Sequence, residues 1–331
     1  MKLGQIISNK SIPIKNALNR TPIFAPIQKK QLNQAVCENS PVLYEDKQYK
    51  LTMSGARLNH TWDYPLLALV IKHWKNADLN GVKDDEPVQI SLEELSGLYN
   101  RNFDQKKRRN FDPVVASLQR LQSACISLDV KKDKVLKIGS LVAKSELHYG
   151  KVKKIEVWIG DLLKELYTDH RDLTFINVEK IVAAPSERSK ALMKYLLTQS
   201  AQFIDFKFEL LVKLLGLDQR DTKQDARKDR SYIVGAINEL VATGFVTAYQ
   251  LNTEVNWVHV RIIRHEHCAD PLEAQKLIDT AVSNFDFFKP NKAKQKTITA
   301  NAPLPSAVKH LQSSGCLPQQ LEDDEDVPLP F

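Results

Sequence analysis

Hydrophobic residues recur at helical spacing in residues 102–124, NFDQKKRRNFDPVVASLQRLQSA. Val114, Leu118 and Leu121 fall on one face of the predicted helix, with Arg120 turned away from it. Four consecutive cations, KKRR, come shortly before this apolar face. The pattern predicts a helix whose apolar side anchors in a core and whose start carries a dense positive charge.

A second copy of this design lies in residues 220–244, RDTKQDARKDRSYIVGAINELVATG. Cations fill its first half, and Ile233, Ile237 and Leu240 fall on one helical face in its second half. A helix that is basic at its start and apolar towards its end suits a recognition helix, because the apolar part can anchor in a core while the basic part contacts phosphates. The sequence therefore predicts two recognition helices in one chain.

The pattern around the first basic helix predicts three helices followed by a β-hairpin. Ser91 and Glu94 have the spacing of a capping box. An Asp-Pro pair at 112–113 leaves open whether one helix bends there or a new helix begins. The predicted elements are a hairpin at 42–55, a helix at 61–76, a strand at 87–90, a helix after Ser91, the basic helix, and strands at 124–130, 135–149 and 154–160.

The same order returns in the second half of the chain. After a short helix at 161–170 and a predicted strand at 173–184, Ser186 caps a helix. A strand at 203–206, a helix at 207–216, the second basic helix and a hairpin over 245–263 follow. The step from Leu95 to Leu211 is 116 residues and that from Leu121 to Leu240 is 119. The two halves are interpreted as a diverged tandem duplication.

The predicted fold class is therefore α+β, with two tandem winged-helix domains, each a helix-turn-helix plus a β-hairpin wing. We expect a flexible arm at 1–40, the first domain at 41–165 and the second at 166–264. Residues 265–331 form a C-terminal extension with a candidate helix at 270–288, then a Lys-, Ala-, Pro- and Ser-rich linker and an acidic tip that are expected to be disordered.

The charge distribution favours a polyanionic partner. The 331 residues carry a net charge of +7, but residues 265–331 have six Lys and ten acidic residues, so residues 1–264 carry +11. The four cysteines lie far apart without a CxxC pair, which indicates neither a disulfide framework nor a zinc site. No signal peptide or membrane-spanning run is evident. The expectation is a cytoplasmic protein with no membrane partner.

The candidate DNA contacts are the cations of the two basic helices and one hairpin arginine, although such clusters are often only solvated faces. They are Lys106, Lys107, Arg108, Arg109, Arg120, Arg220, Lys223, Arg227, Lys228, Arg230 and Arg261. No Gly-rich phosphate loop and no catalytic spacing occurs, so neither an enzyme nor a cofactor is predicted. His265 and His267 with Tyr249 would suit a metal-dependent nicking enzyme, but the residue between the histidines is Glu, and no metal site is assigned.

The chain ends in LEDDEDVPLPF, which has five consecutive acids and a terminal Phe. The end is similar to the tails of bacterial single-stranded-DNA-binding proteins, whose ring and terminal carboxylate are held by replication partners. Alternatives are a solubilising acidic tail or a sliding-clamp peptide, for which the expected Gln is missing. The candidate partner-binding residues are Asp323, Asp324, Asp326, Pro328, Leu329, Pro330 and Phe331.

From about residue 20 to 263, the chain resembles the TrfA-type plasmid replication initiators. RTPIF at 20–24, SLQRLQSACISL at 117–128, SERSKALMKYLL at 186–197 and INELVATGF at 237–245 carry the resemblance. It implies two winged-helix domains on repeated origin sites (iterons) in double-stranded DNA, active monomers and repressive dimers. It also implies recruitment of the host initiator and the helicase or its loader, and DNA melting without ATP hydrolysis. The chain lacks the family's Gln-Leu-x-Leu-Phe clamp motif and adds the C-terminal extension.

The function predicted from the sequence is that of a replication initiator for a plasmid or another mobile element. Its expected partners are origin DNA, host replication proteins and a second copy of the chain. The competing hypotheses are a nicking rolling-circle initiator and a winged-helix transcriptional regulator.

Overall fold

The computed structural model describes most of the chain up to residue 284. The described residues are 7–27, 36–37, 42–45, 47, 49–80, 85–101, 103, 111–131, 134–149, 153–168, 172–201, 204–215, 217, 223–252, 259–266 and 268–284. Helices and antiparallel strands alternate along them, so the fold is mixed α and β. Within these ranges no helix combines the length and the apolar character that crossing a bilayer requires.

The N-terminal segment, residues 7–27, belongs to the folded core, so the flexible arm expected at 1–40 is corrected for those residues. It forms a strand and a short helix, β1 (Ile12–Lys15) and α1 (Asn16–Arg20). Ile12, Leu18 and Phe24 are fully buried. The sequence did not predict this structure because the segment contains prolines and has no long hydrophobic period. Its short apolar strand becomes buried only by pairing with a strand far along the chain, β10 (Leu173–Ile176).

The next elements form the first unit. Its chain begins with three strands, β2 (Val36–Cys37), β3 (Val42–Glu45) and β4 (Tyr49–Ala56). The predicted hairpin at 42–55 is confirmed, since β3 and β4 pair antiparallel. Three helices and one strand follow, namely α2 (Asp63–Leu79), β5 (Val88–Ser91), α3 (Leu92–Tyr99) and α4 (Asp112–Ser123). The α3 cap is also confirmed, because the Ser91 hydroxyl accepts the Glu94 N–H at 3.1 Å.

Four strands complete this unit in two sheets. They are β6 (Cys125–Val130), β7 (Val135–Gly139), β8 (Val142–Tyr149) and β9 (Lys153–Ile159). One sheet has the order β2-β4-β6-β7 with β3 against β4, and the other has the order β5-β9-β8. The single strand predicted at 135–149 is therefore two. Gly160 passes close to the break between them: its N–H donates to the Leu141 carbonyl at 3.0 Å, and a Cβ there would lie 2.2 Å from the Ser140 carbonyl oxygen.

A bridge joins the two units through α5 (Asp161–Leu166), β10 and α6 (Val178–Ala183). The strand predicted over 173–184 is wrong in its second half, which is helical. Asn177 ends the strand and caps the new helix by accepting the Lys180 N–H at 3.1 Å. The β-branched residues of this stretch suited either structure, and the cap decided between them.

The second unit repeats the order of the first. Its elements are α7 (Glu187–Leu196), β11 (Ile204–Lys207), α8 (Phe208–Leu214), α9 (Lys223–Ala242), β12 (Val246–Asn252) and β13 (His259–Arg264). A final helix, α10 (Pro271–Asn284), packs on β12 and buries Ala274 and Ile278. The helix predicted at 270–288 is thus present over those residues.

Both units share one topology. A helix, a strand, two helices and two strands follow one another, and the three strands lie in the order first, third, second: β5-β9-β8 and β11-β13-β12. The first unit differs by the strands β2, β3 and β4 that come before this pattern and by the inserted strands β6 and β7, which join the sheet of β4. One continuous hydrophobic core contains residues of both units and of the N-terminal segment.

Candidate nucleic-acid interface

Helix α9 is anchored along one side and open along the other. Ile233, Ile237 and Leu240 are fully buried and belong to the main core. They lie one helical turn apart, so they form a single stripe that holds α9 against α7, α8 and β12. The opposite side of the helix is left to solvent.

The first turns of α9 carry exposed cations. Arg227, Lys228 and Arg230 are all exposed, whereas Asp229 between them is buried. Of the other predicted contacts in this region, Arg220 lies outside the described residues and the side chain of Lys223 is likewise not described. The described part of α9 therefore presents three guanidinium or ammonium groups within one turn, a local charge that phosphate would neutralise.

Arg188, on α7, adds a cation that the sequence reasoning missed. Its guanidinium carbon lies 3.9 Å from the centre of the Tyr232 ring on α9, a cation–π distance. Tyr232 follows Lys228 by four residues, so the two lie on the same flank of α9. The sequence SERSK does show that Arg188 lies in the first turn of a helix capped by Ser186. Its contact with Tyr232 could not be predicted, because that contact depends on how α7 and α9 pack together.

The β12–β13 hairpin supports the same surface. The predicted wing over 245–263 is found as these two antiparallel strands, although residues 253–258 are outside the described residues. Tyr249 on β12 donates its hydroxyl to the Asn238 side-chain carbonyl at 2.8 Å. Arg261, expected to contact DNA, is only 5% exposed, which corrects its assignment. It lies on β13, the central strand of the sheet, which explains its burial.

Helix α4 begins at the Asp-Pro pair, one of the two arrangements that the sequence left open, but its surface differs from the prediction. It begins at Asp112, so the basic cluster precedes the helix, and Lys106, Lys107, Arg108 and Arg109 lie outside the described residues. Phe103 and Phe111, on either side of the cluster, stack with ring centres 5.7 Å apart in the core. The exposed positions of α4 are Asp112, Gln119 and Ser123, so this helix shows no exposed cation.

Arg120, expected to contact DNA from α4, is a structural residue. It is 7% exposed and forms a two-pronged ion pair with Asp63 at the start of α2, with Nη2–Oδ1 at 2.8 Å and Nε–Oδ2 at 3.0 Å. Burial raises the pKa of Asp63, an effect that the Arg120 guanidinium opposes. Helix α4 packs on α2 as well as on β4 and β8, and it is the contact with α2 that buries Arg120 against Asp63.

A buried polar cluster joins the two units. Glu187 at the start of α7 accepts the backbone N–H of His60 at 2.8 Å, and the wholly buried His60 ring lies nearby with Nδ1 3.5 Å from a Glu187 oxygen. Lys194, also fully buried, donates to the Leu18 carbonyl of α1 at 3.1 Å. Burial lowers the pKa of Lys194 to about 7 and that of His60 to about 4. Helix α7 is therefore joined by hydrogen bonds both to the N-terminal segment and to the loop that leads into α2.

The residues named for the nicking hypothesis lie partly within the described residues. Tyr249, the candidate nucleophile, is 1% exposed, and burial raises the pKa of its hydroxyl. His265 is exposed in the turn after β13, and His267 is not described. On the β8–β9 hairpin, Glu146, His148 and Glu156 gather within 4.8 Å, but Lys144 and Lys154 already pair with these carboxylates.

The predicted partner-binding tail, Asp323, Asp324, Asp326, Pro328, Leu329, Pro330 and Phe331, lies outside the described residues.

Neither a family model nor a curated protein sequence matches the chain. Among solved structures, one of the Pi initiator protein in complex with iteron DNA has 11% sequence identity and a TM-score of 0.41, and the match covers 67% of this chain and 99% of that one. A structure of domains 2 and 3 of RctB has 10% identity and a TM-score of 0.42, with 70% and 94% covered. Neither likeness is close enough to assign a fold family or a function to this chain.

Proposed function

We propose that this protein is a sequence-specific, double-stranded-DNA-binding replication initiator built from two tandem winged-helix domains. The observation that carries the proposal is α9, whose exposed Arg227, Lys228 and Arg230 stand at the start of the third helix of a unit that ends in a β-hairpin. In this arrangement the third helix enters the major groove and the hairpin flanks it. The repeated topology supplies a second unit of the same kind.

Replication, rather than regulation alone, is proposed because of the resemblance of the sequence to the TrfA-type initiators. Two units joined through a shared core would contact one face of the duplex, about one helical turn apart. Several copies on repeated sites would bend the DNA and strain a neighbouring AT-rich segment until it opens. The proposed mechanism needs no catalytic residue, metal or nucleotide in the initiator itself.

Footprinting the DNA that flanks the protein's own gene tests this proposal. Regularly spaced protected sites are expected. A single palindromic site would instead indicate a regulator, and metal-dependent cleavage that leaves protein on the new end would indicate a nicking enzyme. Complete absence of protection would refute DNA binding.

A charge variant then assigns binding to α9. Replacing Arg227, Lys228 and Arg230 with Ala should weaken binding and reduce the slope of log K against log salt by up to about 2.7, because about 0.9 is lost per phosphate contact. The matched control removes three exposed lysines elsewhere, Lys10, Lys47 and Lys180. Equal effects of the two triple variants would mean that only net charge matters.

The acidic tip is proposed to recruit a host replication protein. Its five acids and the Phe331 ring suit a basic pocket that holds an aromatic side chain. Replacing Phe331 with Ala should leave the footprint unchanged and abolish replication of a circle carrying the protected DNA. Normal replication by this variant would exclude the tip as the recruiting element.

A further inference from the structure

Gly235 lies in the middle of α9, where glycine weakens a helix. At an exposed position inside a helix, Gly lowers the stability of the helix more than any other residue except Pro, because it loses the most backbone freedom on folding. A Cβ built on Gly235 would meet nothing within 4 Å, and its φ is not in the left-handed region. Neither packing within the chain nor backbone conformation therefore requires glycine at this position.

The side of α9 on which Gly235 lies is the exposed one. Arg227 and Ser231 precede it by two turns and one turn, and Asn238 follows by one turn, so all four share a face. Arg227, Ser231 and Asn238 are exposed. At 1.5 Å per residue, this polar line runs about 16 Å along the helix, the scale of a major-groove contact.

Asn238 on this line is held in a fixed orientation. Its side-chain carbonyl accepts the Tyr249 hydroxyl at 2.8 Å. Because this hydrogen bond uses the amide oxygen, the side-chain NH₂ group of Asn238 is the part that can donate a hydrogen bond to another molecule. Tyr249 is itself buried, so the bond is set by the packing of the hairpin strand β12. An oriented donor one turn from a glycine is an arrangement suited to a ligand that comes close to the helix backbone.

We propose that Gly235 is a specificity-determining position at which the DNA approaches the backbone of α9, with Asn238 donating a hydrogen bond to the same segment of the duplex. The inference rests on the proposed function, since it requires α9 to be the helix in the groove. A glycine permits a sugar–phosphate strand or a base edge to pass where any side chain would intervene. The loss of helix stability is the cost of that close approach.

The test uses a matched pair of glycines. Gly97, on the exposed side of α3, also has open space around a built Cβ and no left-handed φ. Gly97→Ala and Gly235→Ala should each raise the melting temperature of the full chain by about 2 °C. Binding to the footprinted duplex should stay unchanged for Gly97→Ala and weaken about tenfold for Gly235→Ala, since one added methyl strains a close-packed contact.

Two further measurements distinguish the role of Gly235 from the DNA binding by α9 on which it depends. Gly235→Ala should weaken binding to the footprinted duplex more than binding to a random-sequence duplex, because a close contact forms only in the specific complex. If Gly235→Ala lowers the melting temperature, or binds the footprinted duplex as the unaltered protein does, the inference is overturned. If the triple variant at Arg227, Lys228 and Arg230 also binds normally, the proposed function fails with it; if that variant binds weakly, only the role of Gly235 is lost.

Discussion

Helices α4 and α9 occupy the same position in two units of the same topology, yet their surfaces differ. Helix α9 buries one stripe and exposes Arg227, Lys228 and Arg230. Helix α4 packs on α2, β4 and β8, and its arginine, Arg120, is paired inside the protein. A repeated fold thus need not repeat the chemistry of its surface.

The largest expected effect is the loss of the buried pair. Replacing Arg120 with Met should lower the free energy of unfolding by about 3–5 kcal/mol, because the Asp63 carboxylate is left buried without its charge partner. Replacing Arg227 with Met should change stability by less than about 0.5 kcal/mol, as for other exposed positions. Urea denaturation of both variants measures the contrast. Equal stabilities would place Arg120 on the surface with Arg227.

The polar junction between the units should make stability fall in acid. The pKa of His60 is about 4 in the folded state and 6.5 in its ordinary state. The unfolded chain therefore binds a proton first as the pH falls from 6.5 to 4, which costs up to about 3 kcal/mol. Replacing His60 with Phe should flatten that part of the stability profile.

The matched control for this experiment is Phe111→Leu, a change at a buried ring that carries no titratable group. It should lower the free energy of unfolding by a similar amount at every pH and so leave the slope between pH 6.5 and 4 as it is in the unaltered protein. A His60 variant that keeps the full slope would show that another group of the junction, such as Glu187, whose pKa is lowered, despite burial, by His60 and Thr61, governs the acid sensitivity.

The basic cluster before α4 decides whether the first unit also contacts DNA. Replacing Lys106, Lys107, Arg108 and Arg109 with Ala should reduce the salt slope by up to about 3.6 if all four meet phosphates. Stability should change little, because Phe103 and Phe111, which are buried, are kept. A salt slope equal to that of the unaltered protein would leave the second unit as the sole reader of the DNA.

The smallest effect is expected on the exposed side of α4 itself. Replacing Gln119 with Ala should alter DNA affinity by less than about twofold, the range of ordinary surface changes. Replacing Asn238, on the corresponding side of α9, with Ala should weaken DNA binding more, because the Asn238 amide is held in place by its hydrogen bond with Tyr249. Titrations of the two variants against the same duplex compare them. A larger loss at Gln119 would show that α4, despite its lack of exposed cations, lies in the groove.

Local patterns predicted the elements well because each unit is built from short-range signals. The caps at Ser91 and Ser186 and the alternation in the hairpin strands were all visible in sequence and are all present. Arg120 could not be placed in this way. It does turn away from the apolar stripe of α4, but its partner Asp63 lies on α2, 57 residues earlier, and no local pattern connects the two.

The N-terminal segment was missed for the same reason. Ile12 and Ile14 form a run too short to predict a strand in the core, and Pro13 between them argued against one. Their burial depends on pairing with β10. A contact between two segments so far apart in the chain produces no periodic pattern of hydrophobic residues in either segment.

The pairing of β1 with β10 also means that β1 cannot be completed until the ribosome has made β10. Tyr167, whose hydroxyl donates to the Pro13 carbonyl, lies 154 positions after it, and β10 comes later still. At ordinary ribosome speeds the first strand waits roughly eight to thirty seconds for its partner to be made. A nascent chain that stalls before β10 therefore presents an unpaired apolar strand, a target for chaperones and proteases.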